Sequence, residues 1–329
     1  MSQPDFDSVT IRATARLHLG FIDLHGGLGR IFGSLGVSID RPSCVVELHR
    51  KKGGLVVTGE DKDRVKDLAE RLASHFGTDK GFQLTVWESI PKHVGLGSGT
   101  QLSLAVGTAI AMLDGKSFTP PELSQITGRG VVSGVGTATF AEGGFVIDGG
   151  KLTTTPEGKG TEAVPPLLIR QAVPEDWHFV IAIPDLPKGL SGVPEKHAFQ
   201  ELPKGKASHA KETSRLVLMQ LLPALIRDDI DQFGEALTRI QILVGDSFSK
   251  AQGGRFASPE VAKCVDAMLK AGAVGAGQSS WGPTCYGLVR GMKVASMVKA
   301  AVSKAMDGPS GGTTFIATAN NQGAQITTR

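Results

Sequence analysis

The chain has little cysteine and nothing that would make a scaffold of it. Cys44, Cys264 and Cys285 are the three cysteines among 329 residues. An odd number without C-x-x-C spacing argues against both a disulfide framework and a zinc site. A reducing cytoplasm is therefore the expected compartment. No uninterrupted apolar run is long enough to cross a bilayer, and Met1-Ser2-Gln3-Pro4-Asp5 is polar and acidic where an export signal would be basic and then apolar. No membrane partner is expected. Charge of one sign is also missing: 35 Lys and Arg face 32 Asp and Glu, a formal net charge of +3. Without a long basic run or aromatics interleaved with cations, nucleic acid is not an expected partner. The slight positive excess suits a polyanionic small substrate gathered in one cleft. A chain of this length, 40% hydrophobic, can bury two ordinary cores, so two domains are expected.

What the sequence has in quantity is glycine, 43 residues of it. The most informative cluster is Pro91-Lys92-His93-Val94-Gly95-Leu96-Gly97-Ser98-Gly99-Thr100-Gln101, which leads directly into an apolar helical pattern. Glycines let a backbone approach an anion and turn its N–H groups inward, and the following helix offers the positive end of its dipole. The spacing matches neither G-x-x-x-x-G-K-[ST] nor G-x-G-x-x-G, which disfavours the two commonest nucleotide folds. A phosphorylated substrate is the functional reading, and a glycine-rich turn without a ligand is the alternative.

Around this loop the pattern predicts alternating elements. A strand over Val9 to Leu19 puts Arg16 and His18 on one face and Leu17 and Leu19 on the other. Gly20 to Gly33 reads as a loop, followed by strands near Ser34 to Asp40, Cys44 to Arg50 and Leu55 to Thr58. Asp63 to Phe76 carries a helical stripe closed by Gly77. Phe82 to Trp87 reads as a strand and Gln101 to Leu113 as the helix behind the loop. Thr119-Pro120-Pro121-Glu122 is a capping box opening a short helix. Phe140 to Ile147 reads as a strand, with Asp148-Gly149-Gly150-Lys151 as a hairpin turn into Leu152 to Thr154. The Pro-, Gly- and charge-rich run from Pro156 to Pro166 is the expected boundary between residues 1–164 and 165–329. Beyond it, strands at His178 to Ile183, Tyr286 to Val289 and Thr314 to Thr318 intersperse with helices at Thr213 to Ile226, Asp231 to Leu243, Pro259 to Ala271 and Val294 to Lys304. The fold class is α+β, in two units.

P-x-x-x-G-L-G-S with a helix behind it resembles the phosphate loop of the GHMP kinase superfamily. Several further segments are similar to a non-kinase branch, the β-ribofuranosylaminobenzene 5′-phosphate synthases. They are Arg16 to Leu24, Gly29 to Gly33, Gly128-Arg129-Gly130 with Ser133-Gly134, Lys188 to Gly192, and Gly275 to Pro283. The resemblance spans essentially the whole chain. It implies a ribosomal-S5-domain-2-like N-terminal domain and a ferredoxin-like C-terminal domain. It also implies a decarboxylating C-ribosyl transfer from 5-phosphoribosyl 1-diphosphate to 4-aminobenzoate or 4-hydroxybenzoate, releasing diphosphate and carbon dioxide in methanopterin-type biosynthesis. Magnesium is expected because diphosphate groups commonly reach enzymes as its complex, no organic cofactor is expected, and the resemblance implies a homodimer. The alternatives are an ATP-dependent small-molecule kinase and a non-catalytic ligand sensor. Against the kinase, Gly136 stands where S-G-x-D would supply a carboxylate, and Ser98-Gly99-Thr100-Gln101 replaces the usual loop continuation.

The candidate site residues follow from that chemistry. Gly95, Gly97, Ser98, Gly99, Thr100 and Gln101 would hold a phosphate group, with Lys92 or His93 at the loop mouth and Arg16, Arg129 and Ser133 as further contacts. Lys92 and His93 read equally as solvated loop residues, and either arginine as a buried ion-pair partner. Asp23 is the candidate to stabilise the ribosyl cation and Arg30 to bind diphosphate, with a surface ion pair as the alternative. His18 is a candidate proton acceptor or phosphate donor, or a structural strand residue. Gln278, Ser279, Ser280 and Trp281 would bind the aromatic acid, with Trp281 stacked on the ring or else buried in the core. Lys188, Ser191 and Glu195 are weaker cleft candidates, and Asp148 reads as a turn residue. No metal-ligand set is evident.

Overall fold

The first strand shows how the chain builds its site. In β1 (Ser8–Asp23), Val9, Ile11, Ala13, Ala15, Leu17 and Leu19 are buried on one face, the period-2 pattern of a half-buried strand. Arg16 and His18 fall on the other face. Its pairing with β2 (Arg30–Lys51) slips between Thr14 and Arg16 and again between His18 and Gly20. Such irregularities bend a strand and re-aim its side chains. The two slips bracket the two polar residues that matter most. The computed structural model describes residues 6–78, 81–153, 164–186, 204–307 and 311–329.

The first sheet runs in the order β12 (Gln325–Thr328), β1, β2, β4 (Gly81–Glu88), β3 (Val56–Gly59). β5 (Phe145–Asp148) pairs with β2 and β7 (Leu167–Gln171), and β6 (Lys151–Leu152) pairs with β2. Strands from beyond residue 164 thus complete this sheet, so chain order and sheet membership part company at β7 and β12. Over the sheet lie α1 (Lys62–Phe76), closed by Gly77 in the left-handed conformation, α2 (Ser98–Leu113), α3 (Pro120–Ile126) with its capping box, and α4 (Val135–Glu142). Leu104, Val106 and Ile110 of α2 are fully buried, each stabilising the fold by roughly 1.5–3 kcal/mol.

The second sheet has the order β11 (Gly312–Thr318), β8 (Trp177–Pro184), β10 (Cys285–Arg290), β9 (Gly275–Gln278), antiparallel throughout. Counted within the unit that order is 4-1-3-2, and α8 (Pro259–Lys270) and α9 (Met292–Met306) connect the strands as in a ferredoxin-like fold. Preceding them, α5 (Ala207–Leu216) passes through a π turn (Val217–Leu221) into α6 (Leu222–Ile226), and α7 (Ile230–Gln252) follows. α7 joins the two units through Gln241. Its amide donates to the carbonyl of Leu19 at 2.7 Å and accepts from the N–H of Gln278 at 2.9 Å. Gly277 permits this, because a Cβ there would lie 2.4 Å from the Gln241 side chain.

Several local expectations differ from the structure, among them the strands near Ser34 to Asp40 and Cys44 to Arg50, which are one strand, β2. The loop expected over Gly20 to Gly33 shrinks to residues 24–29, since β1 continues to Asp23 and β2 begins at Arg30; Phe21 and Phe32 join a buried cluster with Phe248 and Trp281 that holds both strand ends. The strand expected from Phe140 begins at Phe145, because α4 runs to Glu142 and Gly143 and Gly144, with φ of 64° and 74°, turn the chain. The turn at 148–151 is not a hairpin between β5 and β6, since β6 pairs with β2. Thr154, Lys188, Ser191 and Glu195 lie outside the described residues.

Candidate active site

The glycine loop forms one wall of a cleft of about 470 Å³ between the two units, within the range of small-molecule sites. Gly97, with φ of 81°, is the N-cap of α2, and no side chain caps the helix, which leaves the first-turn amides for an incoming anion. Guanidinium groups stand on both sides. A Cβ on Gly97 would meet Arg16 at 3.0 Å, and one on Gly99 would meet Arg129 at 3.0 Å. Arg16 also donates to the carbonyl of Gly95 at 2.5 Å. Lys92, His93, Ser98, Thr100, Ser133 and Arg64 complete this end of the cleft. Lys92 is ion-paired with Asp61. Arg16, Arg64, Lys92 and Arg129 thus give the cleft four cationic side chains, and no described carboxylate lines it.

His18, Phe21, Ser280 and Trp281 line this cleft and also a smaller pocket behind it. The smaller pocket is walled by Phe21, Phe248, Phe256, Val244 and Trp281, with Phe248 and Trp281 edge to face at 4.9 Å. His18 is 5% exposed. Burial, reinforced by the charge of Arg16, lowers its pKa from 6.5 to about 3, so it is neutral at pH 7. The Gly20 N–H donates to its Nδ1 at 3.4 Å, which puts the proton on Nε2. That nitrogen is buried and has no hydrogen-bond partner among the described residues. His18 is therefore a neutral donor at the junction of the two cavities, and the depressed pKa disfavours it as the proton acceptor considered from sequence.

Several expected site residues have other duties. Gln101 is fully buried and donates to the Gly136 carbonyl at 2.9 Å, tying α2 to α4 instead of facing the cleft. Asp23 Oδ1 accepts from the N–H groups of His25 and Gly26 at 2.6 and 2.9 Å and so holds the turn after β1. Arg30 donates to the carbonyls of Gly149 and Gly150 at 2.7 and 2.6 Å. Neither Asp23 nor Arg30 lines the cleft, and they form no ion pair with each other among the described residues. Ser279, fully buried, donates to the Gly95 carbonyl at 2.8 Å and accepts from the His18 N–H at 3.0 Å. Gln278 is held by Ala257, Ser280 and Gln241 and lines only the smaller pocket.

Two residues carry weight that sequence reading missed. Arg64 reaches the cleft from the first turn of α1; on a helix of mixed charge nothing local marks it. Asp148 is 1% exposed, and its carboxylate accepts from the backbone N–H of Ser34, Gly134 and Gly150 at 3.1, 2.8 and 2.9 Å. Burial raises its pKa against those three bonds. It fixes the backbone beside Ser133 from below.

The match to known proteins is as broad as this geometry. The family model for the GHMP kinases N-terminal domain covers residues 63–144 and that for the GHMP kinases C-terminal region residues 221–308. A β-ribofuranosylphenol 5′-phosphate synthase from Methanothermobacter thermautotrophicus is 37% identical over 290 residues, 84% of this chain and 87% of that protein. The chain belongs to the β-ribofuranosylphenol 5′-phosphate synthase family. The synthase of that name from Methanocaldococcus jannaschii is 33% identical over 300 residues, 84% of this chain and 88% of that protein. In fold, the chain resembles a homoserine kinase from Cytophaga hutchinsonii, with a TM-score of 0.68 at 21% identity over 99% of both chains. The family membership and this fold fit together without a kinase carboxylate: Gly136 faces Thr100, and a Cβ there would already lie 3.0 Å from it.

Proposed function

We propose that this enzyme, a pentosyltransferase, joins the ribosyl C1 of 5-phosphoribosyl 1-diphosphate to the ring carbon of 4-hydroxybenzoate, giving β-ribofuranosylphenol 5′-phosphate, diphosphate and carbon dioxide. The observation that carries the reading is the continuity of a cationic, glycine-lined cleft with an aromatic-walled pocket through His18, Phe21, Ser280 and Trp281, in a chain 33–37% identical to synthases of that name. The name of those relatives favours the hydroxyl acceptor over the amino one.

In this reading the diphosphate sits on the α2 amides between Arg16 and Arg129, which meet the charge that grows on it as the C1–O bond breaks. The ring lies against Trp281. Its carboxylate-bearing carbon forms the new bond to C1; the bond to the carboxylate then breaks, its electron pair returns to the ring, and carbon dioxide leaves. A neutral His18 Nε2–H at this junction donates a hydrogen bond without the full positive charge that would hold a carboxylate in place.

Magnesium held by the protein does not fit these residues, since no described carboxylate lines the cleft and the described residues contain no cluster of metal-ligating groups. Magnesium would arrive as the counter-ion of the diphosphate substrate, and no organic cofactor is needed. A cytoplasmic homodimer completes the proposal: the free cysteines fit a reducing compartment, and Leu218, Met219 and Ile226 present exposed apolar surface for a second copy. Purified protein is expected to release labelled carbon dioxide from ring-carboxyl-labelled 4-hydroxybenzoate only with 5-phosphoribosyl 1-diphosphate. ADP formation from ATP with phosphorylation of a small alcohol would restore the kinase.

A further inference from the structure

The smaller pocket has an inner and an outer end. Its inner wall, His18 and Trp281, is shared with the phosphate cleft, and its outer wall includes Gln252, Arg255 and Phe256. Resting on the reading above, the reacting ring carbon must lie at the inner end, where C1 is. A para substituent then points at the outer end. Of the polar groups there, Gln241 already spends its amide on Leu19 and Gln278, and the Gln252 amide donates to the Arg255 carbonyl at 2.7 Å. Arg255 is the remaining charge on this wall.

Its placement is built in. Gly245 of α7 lies under it, where a Cβ would come within 2.5 Å of the Arg255 carbonyl and 2.7 Å of its Cγ. Asp246 accepts from its Nε at 2.8 Å. The terminal nitrogens make no hydrogen bond among the described residues. The pocket's free volume of about 40 Å³ is small beside the roughly 150 Å³ that takes a benzene ring. A ring therefore requires the half-exposed Arg255 side chain to shift toward solvent.

We propose that Arg255 selects the acceptor, favouring a para hydroxyl over a para amino group. A guanidinium beside a phenol stabilises the phenolate, the form whose ring carbon is the stronger nucleophile, and offers it paired donors. As an aniline ring attacks, positive charge grows on its nitrogen, and a cation beside it opposes that charge. The aniline N–H groups also face donors instead of acceptors. Selection therefore combines an attraction to one acceptor with a repulsion of the other.

The test compares 4-hydroxybenzoate and 4-aminobenzoate, by turnover with 5-phosphoribosyl 1-diphosphate and by calorimetric binding in the presence of diphosphate. Wild type is expected to prefer the hydroxy acid in both. Arg255→Gln is expected to lower the hydroxy-to-amino ratio of kcat/KM by on the order of tenfold or more, with the KM for the ribosyl donor unchanged, and Arg255→Lys to keep most of the preference. An unchanged ratio in a folded Arg255→Gln variant, or wild-type preference for the amino acid, overturns the assignment of Arg255. Absence of turnover with both acids would instead overturn the proposed reaction, and the binding ratio would still decide the role of Arg255.

Discussion

Ser279 donates from its Oγ to the carbonyl oxygen of Gly95 at 2.8 Å, joining the second unit to the glycine loop across 184 residues of sequence. The contact works only because position 95 is bare. Gly95 has φ of +97°, and a Cβ there would lie 2.2 Å from the Ser279 carbonyl oxygen. The loop is thus a seam between the units as well as the proposed anion cradle.

Gly95→Ala is expected to force that seam open, lowering donor affinity on the order of tenfold and the melting temperature by several degrees, since L-residues resist this backbone region and the clash is with backbone. Ser279→Ala should cost about 1–3 kcal/mol by leaving the buried His18 N–H without its acceptor and the Gly95 carbonyl with Arg16 alone. Calorimetric titration and thermal melts measure both. Wild-type donor affinity in Gly95→Ala would mean that the loop tolerates a side chain and that the seam is not rigid.

Arg30→Gln is expected to destabilise more than it slows. Its two bonds go to the carbonyls of Gly149 and Gly150, and losing them costs about 1–3 kcal/mol. Below the melting transition, kcat and both KM values should stay within a few-fold of wild type. Asp23→Asn should behave likewise, because its carboxylate serves the backbone of His25 and Gly26. A hundredfold loss of turnover at unchanged melting temperature would return either residue to the reaction.

The buried His18 predicts a particular pH dependence. Its folded pKa of about 3 lies below the ordinary 6.5, so between those values the unfolded chain binds more protons. The stability it contributes is present above pH 6.5 and is lost as pH falls through that window. Asp148 works in the other direction: its raised folded pKa gives stability at low pH that is lost as pH rises through that value. Melts at pH 7 and pH 4.5 should show a smaller acid loss in His18→Gln than in wild type. Equal losses would show that the imidazole is not held neutral by burial.

Much of the fold was legible because it rests on local chemistry. Alternation in β1, the stripe of α1 with its Gly77 cap, and the capping box at Thr119 each depend on neighbours within a few residues. The α4 helix was not legible: Phe140, near its end, reads as the start of a strand, and the helix is set by packing against α2 and β2. The site divides in the same way. Gly97 and Ser98 marked the loop that caps α2, whereas Arg64 and Arg255 gave no signal, and Asp148 showed its turn but not the N–H groups of Ser34 and Gly134 that it holds, which are distant in sequence.

By itself, the sequence determined the glycine loop, the alternation that keeps Arg16 and His18 off the core face, and the α+β order of elements, since short-range sterics and hydrophobic period suffice for these. The tertiary structure decided which charges line the cleft. Arg16 and Arg30 are the same residue type on adjacent strands, yet one faces the cleft and the other binds the carbonyls of Gly149 and Gly150. A guanidinium's role is set by the nearest acceptors in space, and only the packing of β1, β2 and the 148–151 turn brings those acceptors to Arg30.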